Sequence, residues 1–254
     1  LLSRNPHLEE WKPRHEEKES ILENLAANEQ EGRSPELEDF ERILKNIKRK
    51  NKSMYKEFQI CHKKFKNMIF LVLKKFYESG EIPDQFQETS LMALFKKGDK
   101  TLPSNYSYLH LKEPYSKMYD ALICEMLRQT YDDNTPLSQI GGQKWSSCED
   151  HLTVIFSMLR EAEEANKGYY MMSVDVIKCF DTLFNQDTTY ELLECGVDRK
   201  ALKNLYNLNK ENRLTVVGSE ESFTCSQGKG QGGHNVALEA SLTMSRVSNV
   251  PVIL

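Results

Sequence analysis

The chain has 254 residues, 39% hydrophobic and 28% charged, with a net charge of -4. That is enough sequence for one large domain or two small ones, and it is the composition of a polar globular protein rather than a fibrous or disordered one. No run of eighteen apolar residues occurs, which excludes a membrane span, and the N-terminal LLSRNPHLEEWKPRHEEKES has no signal-peptide core, so an intracellular location (nucleus or cytoplasm) is expected. The first residue is Leu, which suggests a fragment or a processed chain. Six scattered cysteines form no CxxC pair and accompany no zinc-spaced histidines, so reduced thiols are expected.

Residues 1–41 hold five Lys/Arg and twelve Asp/Glu, and read as a polar, Glu-rich helical extension that packs loosely, with a break at EGRSP. Residues 42–75 reverse the balance, with twelve Lys/Arg and a single acid, Glu57. Aromatics interleave this basic block, a pattern suited to a phosphate backbone. Arg49, Lys50, Lys63 and Lys64 are its candidate nucleic-acid contacts. The alternative is a solvated helix face balanced by the acids before it.

A helix is predicted over LEDFERILKNIKRK, its acids first and its bases last as the helix dipole prefers. A second covers FKNMIFLVLKKFYESG, with Phe65, Met68, Leu71, Val72 and Phe76 at helical spacing and Gly80 as its stop. ETSLMALFKKGDK reads as a strand entering a basic turn at Gly98. Pro114 opens a helix with Tyr115, Met118, Leu122 and Met126 on one face. Ser147 and Asp150 have capping-box spacing before the helix EDHLTVIFSMLREAEEA. MMSVDV, residues 171–176, then reads as a short buried strand ending in Asp175. A buried carboxylate needs a partner, and a metal ion facing Asp175 and Asp181 is one. A strand-to-helix turn in which either Asp caps the next element is the other. Helices at TTYELLECG and DRKALKNLYNL, a hairpin around Gly218 and a Gly-rich loop leading into a last helix complete the chain.

Four segments carry a resemblance: GEIPDQFQETSLMALFKKGDKTLPSNYSYLHL, IGGQKWSSCEDHLTVIFSML, SVDVIKCFDTL and GKGQGGHNVALEASL. In this order they resemble the fingers and palm of a reverse transcriptase of the non-LTR retrotransposon and group II intron type, over residues 40–254. The resemblance implies an α+β fold, a partial right-hand polymerase with helical fingers and a small antiparallel palm sheet. It divides the chain into an acidic helical extension (1–40), a fingers-like region (41–168) and a partial palm (169–254).

It further implies an RNA-directed DNA polymerase working on an RNA template, a DNA primer and deoxynucleoside triphosphates, with Mg²⁺ or Mn²⁺. Such nucleotidyl transfer uses two metals about 4 Å apart. Asp175 would be the catalytic residue and shared metal ligand, with the Val176 carbonyl on the nucleotide-side metal. Phe180 would lie under the sugar, or serve as plain core packing. Lys96 and Lys97 would meet the triphosphate, or form an exposed basic turn. Gln231 and Gly232 would pack on the template base pair, or form a plain glycine-rich linker. Asp181 would be structural.

The sequence departs from that family at Ser107, Tyr108, Leu109, Lys144 and Trp145, and no Asp follows Asp198. The second catalytic carboxylate motif is therefore expected to lie beyond this chain or to be lost, and the chain as given to be inactive and to hold metal poorly. A degenerate polymerase-fold protein that binds nucleic acid without catalysis, and a helical protein-interaction module, are the alternative functions.

Overall fold

The computed structural model describes residues 8–50, 61–134, 147–171, 173, 175–176, 179–225, 228–229 and 235–248. These form ten helices and one four-stranded sheet, an α+β arrangement. In chain order the helices are α1 (Leu8–Ala27), α2 (Leu37–Lys50), α3 (Lys63–Ser79), α4 (Asp84–Gln87), α5 (Pro114–Asn134), α6 (Cys148–Glu164), α7 (Cys179–Thr182), α8 (Asn185–Glu194), α9 (Arg199–Asn209) and α10 (Val236–Ser248). The strands are β1 (Glu88–Phe95), β2 (Tyr106–Lys112), β3 (Arg213–Val216) and β4 (Ser222–Thr224). No helix among the described residues is long and apolar enough to cross a membrane.

Local chemistry explains the helix ends. Asp39 accepts from the Glu36 backbone N–H at 2.9 Å at the start of α2, and Arg33 and Arg42 clamp the same buried carboxylate at 2.9 and 2.7 Å. Arg42 also reaches Glu125 at 3.1 Å, which ties α2 to α5. Gly80 ends α3 in the left-handed region at φ 72°, its N–H donating to the Phe76 carbonyl. Ser147 and Asp150 make the predicted capping box on α6.

Helices α2, α3, α5, α8, α9 and α10 share one core, with Phe40, Leu73, Met118, Leu122, Leu202 and Leu205 almost wholly buried. The face that α3 turns to it is Ile69, Phe70, Leu73 and Tyr77. This corrects the predicted stripe, since Phe65, Met68, Leu71 and Val72 are exposed. Both sets have helical spacing, and only the neighbouring helices select between them. Tyr115 is likewise exposed, whereas Met118, Leu122 and Met126 are buried as expected. The N-terminal helix is also packed rather than loose. Leu22 and Leu25 are buried, α1 lies on α8 and α9, and Lys18 pairs with Asp187 at 3.2 Å.

The sheet runs β2-β1-β3-β4. β1 pairs antiparallel with β2 and β3 with β4, but β1 and β3 are parallel, so the sheet is mixed rather than antiparallel. Strand β2 has no clear alternation of exposure and was not expected. The hairpin around Gly218 forms as predicted, with φ 93° at the glycine. Of the predicted strand at 171–176, the described residues are irregular and exposed and pair with no sheet edge.

Candidate functional site

Two of the motif segments meet. The short helix α7 carries Phe180 and Asp181, and the segment Gly228–Lys229 crosses its end some fifty residues later in sequence. The Lys229 N–H donates to the Phe180 carbonyl and the Gly228 N–H to the Leu183 carbonyl, each at 2.7 Å. Gly228 has φ 99°, where a side chain would be strained, and the Asp181 carbonyl oxygen is 3.6 Å from the position of its absent Cβ. Phe180 is half-buried and Asp181 exposed.

Beneath this crossing lies a polar cavity of about 30 Å³ between β2, α5 and α10. His110 and Lys112 come from β2, Lys117 and Asp120 from α5, Asn235 and Glu239 from the start of α10, and Lys229 from the crossing loop. Lys229 and Glu239 form an ion pair and are both almost fully buried. Asn235 donates through Nδ2 to the Asp120 side chain at 2.8 Å and to its backbone carbonyl at 3.1 Å. Asn235 Oδ1 and Glu239 Oε1 are buried with no hydrogen-bond partner among the described residues. The cavity has room for about two waters, enough to serve both acceptors.

Burial pushes the Glu239 carboxyl above the ordinary carboxylate range, and Lys229 opposes that shift. Burial also holds the His110 imidazole below its usual value; Lys112 adds to this and Asp181 opposes it. Cys124 on α5 is pushed up to about 12 by burial, with Asp120 adding to the effect, so its thiol stays protonated and unreactive.

Reading the sequence missed this polar set. The available signals were Glu239, a lone acid in the apolar run VALEASL, and Lys229, a lone cation between glycines. Both are residues that need a buried partner if their segments pack.

The predicted site residues fall elsewhere. Asp175 and Val176 are exposed on irregular backbone, which corrects the expectation of a carboxylate buried at a strand end. Lys96 and Lys97 are exposed at the turn between β1 and β2, where the Lys96 N–H donates to the Asn105 carbonyl at 2.9 Å. Lys63 and Lys64 are exposed on the first turn of α3, and Arg49 and Lys50 end α2. Gln231 and Gly232 lie outside the described residues. Among the described residues, no three His, Cys, Asp or Glu side chains converge as a metal site.

An exposed carboxylate carries no desolvation cost to relieve. Asp175→Asn is accordingly expected to change unfolding free energy by no more than about 0.5 kcal/mol in metal-free buffer. Thermal melts of the variant check this, and a large destabilisation would mean that Asp175 is a structural acceptor.

Compared with protein-family models and with curated proteins, the chain matches none.

Proposed function

We propose that this chain is a fingers-and-palm portion of a reverse-transcriptase-like fold, of the non-LTR retrotransposon and group II intron type, and that it binds RNA or RNA–DNA duplex. The observation that carries the reading is the contact between the SVDVIKCFDTL and GKGQGG segments through the paired backbone hydrogen bonds at Phe180 and Leu183. A polymerase palm needs those two segments side by side, because one offers the catalytic carboxylate and the other the loop against the template base pair. A second feature agrees with it. The β1–β2 hairpin, with Lys96 and Lys97 at its turn, joins through β1–β3 the strands that lie between those two segments in sequence. No catalytic step is assigned, since a single exposed Asp175 is the one candidate carboxylate described.

The basic block supplies the binding. Lys63 and Lys64 are exposed on α3, and Lys96 and Lys97 are exposed on the hairpin turn. A duplex lying across these cations releases counterions, so its affinity depends steeply on salt. Fluorescence anisotropy with a labelled RNA–DNA hybrid should give a log–log salt slope of about -4, if roughly five phosphates are neutralised. Replacing Arg49, Lys50, Lys63 and Lys64 with Ala should flatten that slope by about two units or more, at about 0.9 for each phosphate no longer neutralised. An unchanged slope would make the block a solvated helix face and remove the binding half of the reading.

A protein-interaction role has a specific observation of its own, the unburied helix α6, and leads to the inference below.

A further inference from the structure

Helix α6 is amphipathic, and none of the described residues buries its apolar stripe. Leu152, Ile155, Phe156 and Leu159 follow i, i+3, i+4, i+7 spacing, which makes one apolar stripe. No residue of the helix is buried, and Phe156 is 65% exposed. A helix this short gains little stability from propensity alone and needs that stripe covered.

A matching surface lies on α3. Phe65, Met68, Val72 and Phe76, with Phe86 of α4 and Tyr115 of α5, line an open apolar groove of about 430 Å³. Met68 is 52% exposed within it. Among the described residues, neither surface covers the other.

Charge makes the match specific. Helix α6 carries Glu149, Asp150, Glu161, Glu163 and Glu164 against Arg160, and α3 carries Lys63, Lys64, Lys66, Lys74 and Lys75 against Glu78. Each helix is 17 residues long, so they have equal length and opposite charge. Glu149 and Glu163 bracket the α6 stripe about 20 Å apart at about 1.5 Å per residue. Lys64 and Lys75 border the α3 groove about 16 Å apart by the same rise, within side-chain reach of those acids.

We infer that α6 of one copy of this chain docks into the α3 groove of a second copy, and that the reciprocal contact closes a two-fold dimer. The exchange covers both apolar surfaces twice with a single complementary pair, as an isologous interface requires. Aromatic and Met anchors at its centre are the side chains that concentrate binding energy. Lys64 is a candidate for both duplex and α6, so nucleic acid and dimerisation compete for the α3 edge.

Sedimentation of the intact chain tests this, with Phe156→Glu on α6 and Met68→Glu on α3. Both positions are more than half exposed, so each variant is expected to keep the wild-type circular dichroism and melting temperature. Wild type should dimerise at micromolar concentration, and more weakly as salt rises. Each variant alone loses its anchor from both contacts of the two-fold dimer, so at about thirtyfold per anchor it should dissociate about a thousandfold more readily. Mixing the two variants should restore a dimer, because one copy keeps an intact α6 and the other an intact groove. A wild-type monomer throughout, a dimer indifferent to either substitution, or a mixture that stays monomeric would each overturn the pairing. The last result would point to like helices pairing with like.

Discussion

Lys229→Met is expected to destabilise the fold by about 3–5 kcal/mol, the largest single effect anticipated for this protein. Lys229 and Glu239 are each almost fully buried, and they neutralise one another at the junction of the α7 crossing and α10. Removing the ammonium leaves a buried carboxylate without its ion-pair partner and with Asp120 nearby, and Asp120 already pushes the Glu239 carboxyl up.

The loss depends on pH with a definite sign. Burial raises the folded-state value of Glu239 above its unfolded one, so the protonated acid favours folding. That contribution is full below the unfolded pKa and disappears as pH rises through the folded one. Without Lys229 the shift grows and the window extends upward. The deficit of Lys229→Met should therefore be smaller at about pH 5 than at about pH 8. Replacing both partners, as Lys229→Met with Glu239→Leu, should recover most of the loss, because a buried pair contributes little beyond its apolar equivalent. Urea unfolding of the three variants at the two pH values gives the comparison. A double variant as unstable as the single one would mean that the pair does more than cancel charge.

Asn204→Ala should cost about 2–4 kcal/mol, from two buried groups left without partners. Asn204 is fully buried on α9 and bonds in three directions. Its Oδ1 accepts from the Tyr119 hydroxyl at 2.6 Å, and its Nδ2 donates to the Tyr77 carbonyl at 3.0 Å and to the Lys200 carbonyl at 2.9 Å. This one side chain joins α3, α5 and α9. Burial pushes both tyrosines well above their ordinary range, so neither hydroxyl ionises to compensate. Adding Tyr119→Phe to Asn204→Ala should cost less than the two single changes together, because the orphaned hydroxyl goes with it. Strict additivity in that cycle would show that the hydroxyl contributes nothing to the network.

Local signals located most elements. Acids at the start of α2, Gly80 after α3, Pro114 before α5 and the Ser147–Asp150 box before α6 are each readable from a few neighbouring residues. They are readable because capping, dipole and backbone preferences act within one turn. The hairpin at Gly218 belongs with them, since a positive φ confines that position to glycine.

What sequence alone determined about this protein is therefore a cap or stop at α2, α3, α5 and α6, and that its charge divides into an acidic and a basic segment. Which face of α3 is core was a tertiary decision. That helix has apolar residues on two adjoining faces, and the packing of α2 and α5 chose Ile69, Phe70, Leu73 and Tyr77. The strand expected at Asp175 also depends on non-local pairing, and its described residues join no sheet strand. The Lys229–Glu239 pair and the Phe180–Lys229 contact join residues that no local pattern relates. Their partners become neighbours only once chain closure has met its entropic cost, and that closure depends on the whole core.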